Sequence, residues 1–340
     1  DYKLLPLDDI MSGAGTYYKT FTHFKKKVIA KSNIVLESIT DDLTTYFQYH
    51  SLAQEPSNPY SSNLTSMQTK IKINQDNIFL PFTRKHFLSQ HLSDKNLKKF
   101  QAYEKFRTYP QYNTTLFSAY MKYGLVSCRE VYSRIYNYYG NETELLKQLV
   151  WREYYYYLMY HLPVKNSIGG SNMQEKDYTW ENNQDDINAW KLGMTGFPFI
   201  DACMRQMLKT GWMHNRSRLA SANALVYLFL IDWKIGEKYF ATKLADYDIS
   251  QNNGNWQWCG GVGVDRKPYL RMYNPYSLIE KYDPDCVYVK KWIPELSHLT
   301  KEQLLKYDKY ISDKNTDING YPLPIVDYKE ARTRANSFFN

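Results

Sequence analysis

The residues that could do chemistry crowd into one stretch, 195–275. It holds T-G-F-P-F-I-D at 195–201, G-W-M-H-N-R-S-R-L at 211–219, D-Y-D-I-S-Q-N-N-G-N-W-Q-W at 246–258 and P-Y-L-R-M-Y-N-P at 268–275. Solvated loops seldom collect tryptophan with carboxylate and guanidinium, and cores seldom admit the charges. The mixture describes a lined cavity, in which indoles stack a flat ligand while carboxylates and arginines order its polar edge. A second group lies upstream. Gln148, Trp151, Arg152 and Tyr155 follow i, i+3, i+4, i+7 and share one helix face, where amide, indole, guanidinium and phenol form an uncommon stripe.

Positioning these groups falls to helices. Asn141 is read as the cap of a helix with Leu145, Leu146, Leu149 and Val150 turned inward. Phe197-Pro198 opens another, with Met204, Met207 and Leu208 inward and Gly211 at its end. Asn215 then caps a long buried helix, in which Leu219, Ala222, Val226, Phe229 and Trp233 recur at helical spacing and Gly236 follows the end. Arg216 and Arg218 sit near its start, where the helix dipole does not favour cations, so Asp246, Asp248 or an anionic ligand must offset them. Asn252-Asn253-Gly254-Asn255 reads as irregular, a turn that sets Trp256 and Trp258 on the core or in the cavity wall. Residues 295–340 read as a closing helix and a polar tail.

Residues 1–83 read as a connector with short helices, containing Tyr17 to Phe24, the solvated Lys25-Lys26-Lys27 and a polar run with Pro56 and Pro59; residues 84–340 form the helical domain. The 340-residue length suffices for a full core. No apolar run reaches membrane-spanning length, and no complete G-x-G-x-x-G or strand–helix alternation supports a Rossmann site. Cys128, Cys203, Cys259 and Cys286 are far apart without a C-x-x-C, which predicts reduced, buried thiols in an intracellular protein, cytoplasmic or nuclear, and no metal site. A net charge of +8 admits a polyanion partner without demanding one, since the many Lys, Asn and Tyr also fit a coding bias. The 33 tyrosines and 8 tryptophans exceed what packing requires, and stacking on bases or rings would use some of them.

Taken in order, W-R-E-Y at 151–154, T-G-F-P-F-I-D, G-W-M-H-N-R-x-R, D-x-D-x-x-x-N-N-G-x-W-Q-W and P-Y-x-R-x-x-N-P resemble the photolyase/cryptochrome family, at the FAD-binding domain of class I cyclobutane pyrimidine dimer photolyases. The resemblance runs from about residue 5 to about residue 300. It implies a mainly α fold, FAD as cofactor and UV-damaged DNA as partner, with no membrane. The family's N-terminal α/β domain has no counterpart here. No antenna chromophore is therefore expected on this chain, and a separate antenna-domain chain is one way to supply it.

The resemblance places the FAD at Tyr103 and at Thr114, Thr115, Leu116, Phe117 and Ser118, with Leu116 where the family has Arg. Arg218 paired with Asp246, then Tyr247 and Asp248, would follow the flavin's polar edge, and Asn252 would face its N5. Trp256, Trp233 and Trp180 match a chain of three tryptophans that conducts an electron from the surface. Gln148, Trp151, Arg152, Asn215, Arg216, Trp258 and Arg271 would hold the DNA, with the two indoles stacking on a flipped dimer at roughly 1–3 kcal/mol per base. Asn215 and Leu219 stand where (6-4) photolyases carry two histidines, which favours dimer repair. Gln148 stands where dimer photolyases carry Glu, which implies slower repair, and Leu278 replaces a common Gln. Repair of (6-4) photoproducts and a photoreceptor without repair activity are the alternatives.

Overall fold

Short polar side chains start the helices. Ser127, Thr143, Asn183, Asp232 and Asp248 each accept a backbone N–H from the first turn of the helix that follows. The computed structural model describes residues 3–31, 84–112, 114–140, 142–162, 178–262, 272–314 and 318–339. Numbered in chain order, the helices that build and brace the site are α1 (21–31), α2 (Phe117–Lys122), α3 (Cys128–Tyr139), α4 (Glu144–His161), α5 (Gln184–Leu192), α6 (Pro198–Thr210), α7 (Asn215–Asn223), α8 (Trp233–Lys243), α9 (Ile249–Cys259), α10 (Val287–Trp292) and α11 (Tyr328–Phe339). Among the described residues there is no β-strand, only an isolated bridge between Ile318 and Tyr321. No described helix is long and apolar enough to cross a membrane.

Two apolar clusters form. One joins Leu4, Leu7, Ile10, Phe24 and Val28 to the inner faces of α3 and α4, so residues 3–31 share a core with that helix pair. The other is built by α5 to α11, with α6 packed on α5, α7 and α10, and α8 on α9. Helix α9 also packs on α4 and so links the halves. All four cysteines are free and buried, and burial pushes the Cys128 thiol up to about 11 and Cys203 up to about 12.

Several local expectations need correction. The cap of α4 is Thr143, whose hydroxyl accepts from the Leu146 amide; Asn141 lies outside the described residues, as do Pro56 and Pro59. The cap of α7 is His214, not Asn215, which is the first helical residue. The long helix through Trp233 does not exist. After α7 the chain widens into a π-helical turn, Ala224–Leu228, passes Leu230 at φ 49° and restarts at Trp233, capped by Asp232. Gly236 lies inside α8. Residues 252–255 are regular helix within α9, because Asp248 caps it and the asparagines bond within the fold: Asn255 donates to Gln251 O, and Asn253 accepts from Gln257. Leu208 is 40% exposed, whereas Met204 and Met207 are buried as expected.

The T-G-F-P-F-I-D segment is a structural clasp. Buried Asp201 accepts from the Thr195 amide and hydroxyl, the Gly196 amide and the Tyr321 hydroxyl. Gly196, at φ 78°, has room for no side chain, since a Cβ would lie 2.3 Å from Leu323 and Pro324. The chain from 318 to 326 is thus strapped onto the start of α6.

His214 links the fold to pH. Its Nδ1 accepts from the Arg216 amide at 3.1 Å, and burial, then Arg216 and Arg218, push its pKa down to about 3. An unfolded histidine titrates near 6.5, so the unfolded chain takes up a proton that the folded one refuses. The stability this contributes is complete above about pH 6.5 and is lost as pH falls toward 3, at about 1.4 kcal/mol per unit. His214→Asn keeps a capping acceptor and removes the proton. From about pH 7.5 to about pH 5, urea unfolding is expected to show the wild type losing about 2 kcal/mol more than this variant. Equal losses would mean that folded His214 is protonated.

Candidate functional site

The seam between the two clusters encloses a cavity of about 300 Å³, at the small end of ligand pockets. One wall comes from the first cluster: Tyr103, the segment Thr114 to Ser118 that leads into α2, and Leu145, Gln148, Leu149 and Arg152 of α4. The other comes from the second: Asn215, Arg218 and Ala222 of α7, Phe240 of α8, and Asp246 to Trp256 around the start of α9. Neither half makes the cavity alone.

Its polar side is ordered by an ion pair. Arg218 Nη2 lies 2.9 and 2.7 Å from the two Asp246 oxygens, and its Nε donates to Met213 O at 2.8 Å. Asp248 spends one carboxylate oxygen on the helix cap, accepting from the Ser250 amide and hydroxyl and the Gln251 amide. Its other oxygen is buried without a partner, and so is the Tyr247 hydroxyl. Burial raises the pKa of Asp248 against the pull of those cap bonds. Two orphaned polar atoms on one cavity wall mark places where a ligand's N–H or O–H completes the bonding.

Asn252 is held from behind. Its Nδ2 donates to Glu237 O at 3.0 Å and Glu237 Oε1 at 3.1 Å, so its carbonyl oxygen is what remains to offer the cavity. Burial raises the Glu237 pKa, opposed by that bond. Thr114, Thr115 and Ser118 line the other wall. Leu116 heads α2 at φ 55° and is buried, so the position expected to carry a family arginine adds an apolar contact instead. Phe117 is buried beside it, and Tyr103 is half-buried with its phenol pKa raised by burial.

Lys122, Glu237, Gln251 and Asn255 escape the sequence reading. Lys122 stands one turn after Ser118, lines the cavity and has its ammonium 5.9 Å from the Tyr247 ring centre. That i, i+4 spacing was a usable signal, as was Glu237, a lone carboxylate on the buried side of α8. Gln251 donates to Arg152 O at 2.6 Å and ties α9 to α4.

Trp256 lines the cavity and is buried. Trp233 lies behind it, in a reciprocal arrangement of indoles and glycines. A Cβ on Gly236 of α8 would sit 2.2 Å from the Trp256 ring of α9, and one on Gly260, just past α9, 2.8 Å from the Trp233 ring of α8. Each helix thus receives the other's tryptophan over a bare backbone. Half-buried Trp180 sits beside the turn leading into Trp233, since the Glu181 amide donates to Leu230 O and the Asp232 amide to Asn182 Oδ1. Its ring meets Tyr178, Phe338 and Phe339.

Other expected contacts are not brought to this cavity. Trp151 is stacked on Phe21, half-buried Trp258 packs against the second cluster, and the Arg216 guanidinium lies 5.7 Å from the Tyr282 ring centre; none of the three lines the cavity. Leu278 is buried. Arg271 lies outside the described residues.

Three comparisons bear on this arrangement. The family model described as the FAD binding domain of DNA photolyase matches residues 145–340. The deoxyribodipyrimidine photo-lyase of Alkalihalophilus pseudofirmus is 38% identical over 260 residues, 71% of this chain and 52% of that protein. That of Buchnera aphidicola (subsp. Acyrthosiphon pisum) is 35% identical over 330 residues, 95% of this chain and 66% of that protein. The chain therefore spans about half to two thirds of the length of these relatives. An archaeal photolyase from Sulfolobus tokodaii, crystallised with two FAD molecules, superposes with a TM-score of 0.74 at 30% identity, over 100% of this chain and 70% of that one.

Proposed function

The chain belongs to the family of the FAD-binding domain of DNA photolyase, and from that premise we propose that its seam cavity holds FAD and that it splits cyclobutane pyrimidine dimers in UV-damaged DNA under light. The observation that carries this reading is the polar wall, where the orphaned Tyr247 and Asp248 oxygens stand beside the Arg218–Asp246 pair and the Asn252 amide. The hydroxyls of Thr114, Thr115 and Ser118 suit a pyrophosphate, and Asp248 suits the imide edge of a flavin ring. When bound, FAD supplies the light-driven donation of one electron.

The chain's own residues do the rest. Arg218 and Asp246 fix the polar edge, and Glu237 holds the Asn252 amide so that its carbonyl can accept a hydrogen bond. Trp256, Trp233 and Trp180 would relay an electron from the surface toward the cavity outside the repair cycle, in which the donated electron comes back from the split dimer. Gln148 and Arg152, on the same cavity wall, contact the base edges and phosphate of a flipped dimer. A dimer stacks and pairs poorly, so extruding it costs only about a few kcal/mol.

Gln148 can hydrogen-bond a pyrimidine carbonyl but brings no acidic proton. Gln148→Glu is expected to raise repair per absorbed photon about threefold, well below the contribution of a fully used proton donor. Repair yields under matched illumination check it, and no gain would remove any protonation role from this position.

The decisive experiment purifies the chain, records its flavin spectrum and illuminates it with dimer-containing single-stranded DNA. Restored thymine is the expected result. Photoreduction without restored thymine would favour a photoreceptor. A protein that binds no flavin would sink both.

A further inference from the structure

Trp151 has an unexpected neighbour. The Phe21 ring, at the start of α1, lies over its indole with centroids 3.6 Å apart and planes 6° from parallel. Two rings left to themselves prefer offset or edge-on contact, because their quadrupoles repel face to face. Here the chain leading into Phe21 is pinned to α4. Tyr154 donates its hydroxyl to Lys19 O at 2.7 Å, the Tyr18 amide donates to the Tyr157 hydroxyl at 2.8 Å, and Tyr157 donates to Ile10 O at 2.7 Å. Buried Glu153 accepts from the Leu4 and Leu5 amides at 3.0 and 3.2 Å.

The rest of the indole is braced as well. Tyr154 stands edge-on to it at 5.8 Å, and Tyr155 leans on it at 6.0 Å. Tyr155 is itself fixed against α9, where a Cβ on Gly254 would lie 2.3 Å from its ring. Phe21 and Trp151 nevertheless stay half-buried, so the stack remains accessible from outside.

We propose that Phe21 is a positioning residue for Trp151: it covers one face of the indole and fixes its rotamer, so that the opposite face is presented, already ordered, to a flipped pyrimidine of damaged DNA. The inference rests on the DNA-repair reading above. A free indole must be ordered when a base stacks on it, and a held one need not be. Loss of the backing ring therefore weakens stacking by about two- to tenfold. Neither ring lines the seam cavity, so flavin content is unaffected.

The test measures binding of the flavin-loaded chain to dimer-containing and undamaged single-stranded DNA of one sequence. Phe21→Leu is expected to reduce the preference for damaged DNA about two- to tenfold at unchanged flavin content, with Phe21→Tyr restoring it. Trp151→Leu should abolish the preference, and Phe21→Leu in that background should add nothing. If Phe21→Leu loses flavin, Phe21→Met, which fills the volume without a ring, carries the same comparison. An unchanged preference in the Phe21 variant, or additive losses in the double variant, would overturn the proposal while leaving the repair reading intact. A Trp151→Leu protein that still prefers damaged DNA would overturn the proposal, and the retained preference would leave the repair reading standing on Gln148 and Arg152.

Discussion

Arg218→Ala is expected to purify without flavin and to lose about 3–5 kcal/mol of stability, the cost of stranding a buried charge. The Asp246 side chain is 4% exposed, and Arg218 faces both of its oxygens. Without the guanidinium the carboxylate must stay charged and unpaired, take up a proton, or drag the start of α9 toward water. Arg218→Lys should not rescue, because a point ammonium cannot serve both Asp246 and the Met213 carbonyl from that backbone position. The double variant Arg218→Met/Asp246→Leu separates the two roles. An apolar pair of similar bulk should recover most of the stability, yet leave the cavity unable to hold flavin. Flavin absorbance per chain and urea unfolding check both halves. Normal flavin content in Arg218→Ala would remove the pair from the binding site.

Trp233→Phe is expected to abolish light-driven reduction of bound flavin while leaving repair by chemically reduced protein unchanged. Trp233 does not line the cavity, so its loss does not touch ligand contacts. It is 3% exposed and rests over Gly260, so the smaller ring costs about 1–2 kcal/mol of packing, which the fold can absorb. Phenylalanine fills the space but is far harder to oxidise. Trp190 is the informative control. Its ring lies 6.3 Å from that of Trp256, but it is fully buried with its indole N–H on Ser221 O. If Trp190→Phe rather than Trp233→Phe stops photoreduction, the route to the surface runs through α5. Loss of repair by the reduced Trp233 variant would contradict a purely conducting role.

Much of this protein is legible from neighbouring residues alone. The Pro198 start and Gly211 end of α6 and the inward Leu145, Leu146, Leu149 and Val150 follow from capping and periodicity, whereas charge alone left Asp246, Asp248 or a ligand to offset Arg218 and the family resemblance named Asp246. The ordered motifs are enough to place the chain in its family. Where local reading failed, a local rule met a stronger partner. Asn252 to Asn255 look like a turn until Asp248 caps the helix and the Glu237 carboxylate and Gln251 carbonyl accept from Asn252 and Asn255. Gly236 looks like a helix end until Trp256 is laid over it.

Sequence by itself determined which residue types gather in 195–275 and several of the helix starts and inward faces around them, because caps and apolar stripes act over a few residues. Only the tertiary structure decided that the cavity is a seam between two cores, that Glu237 stands behind Asn252 and that Phe21 lies on Trp151. Those contacts join residues distant in the chain. Their geometry is set by how two close-packed cores meet, and no short-range preference encodes that.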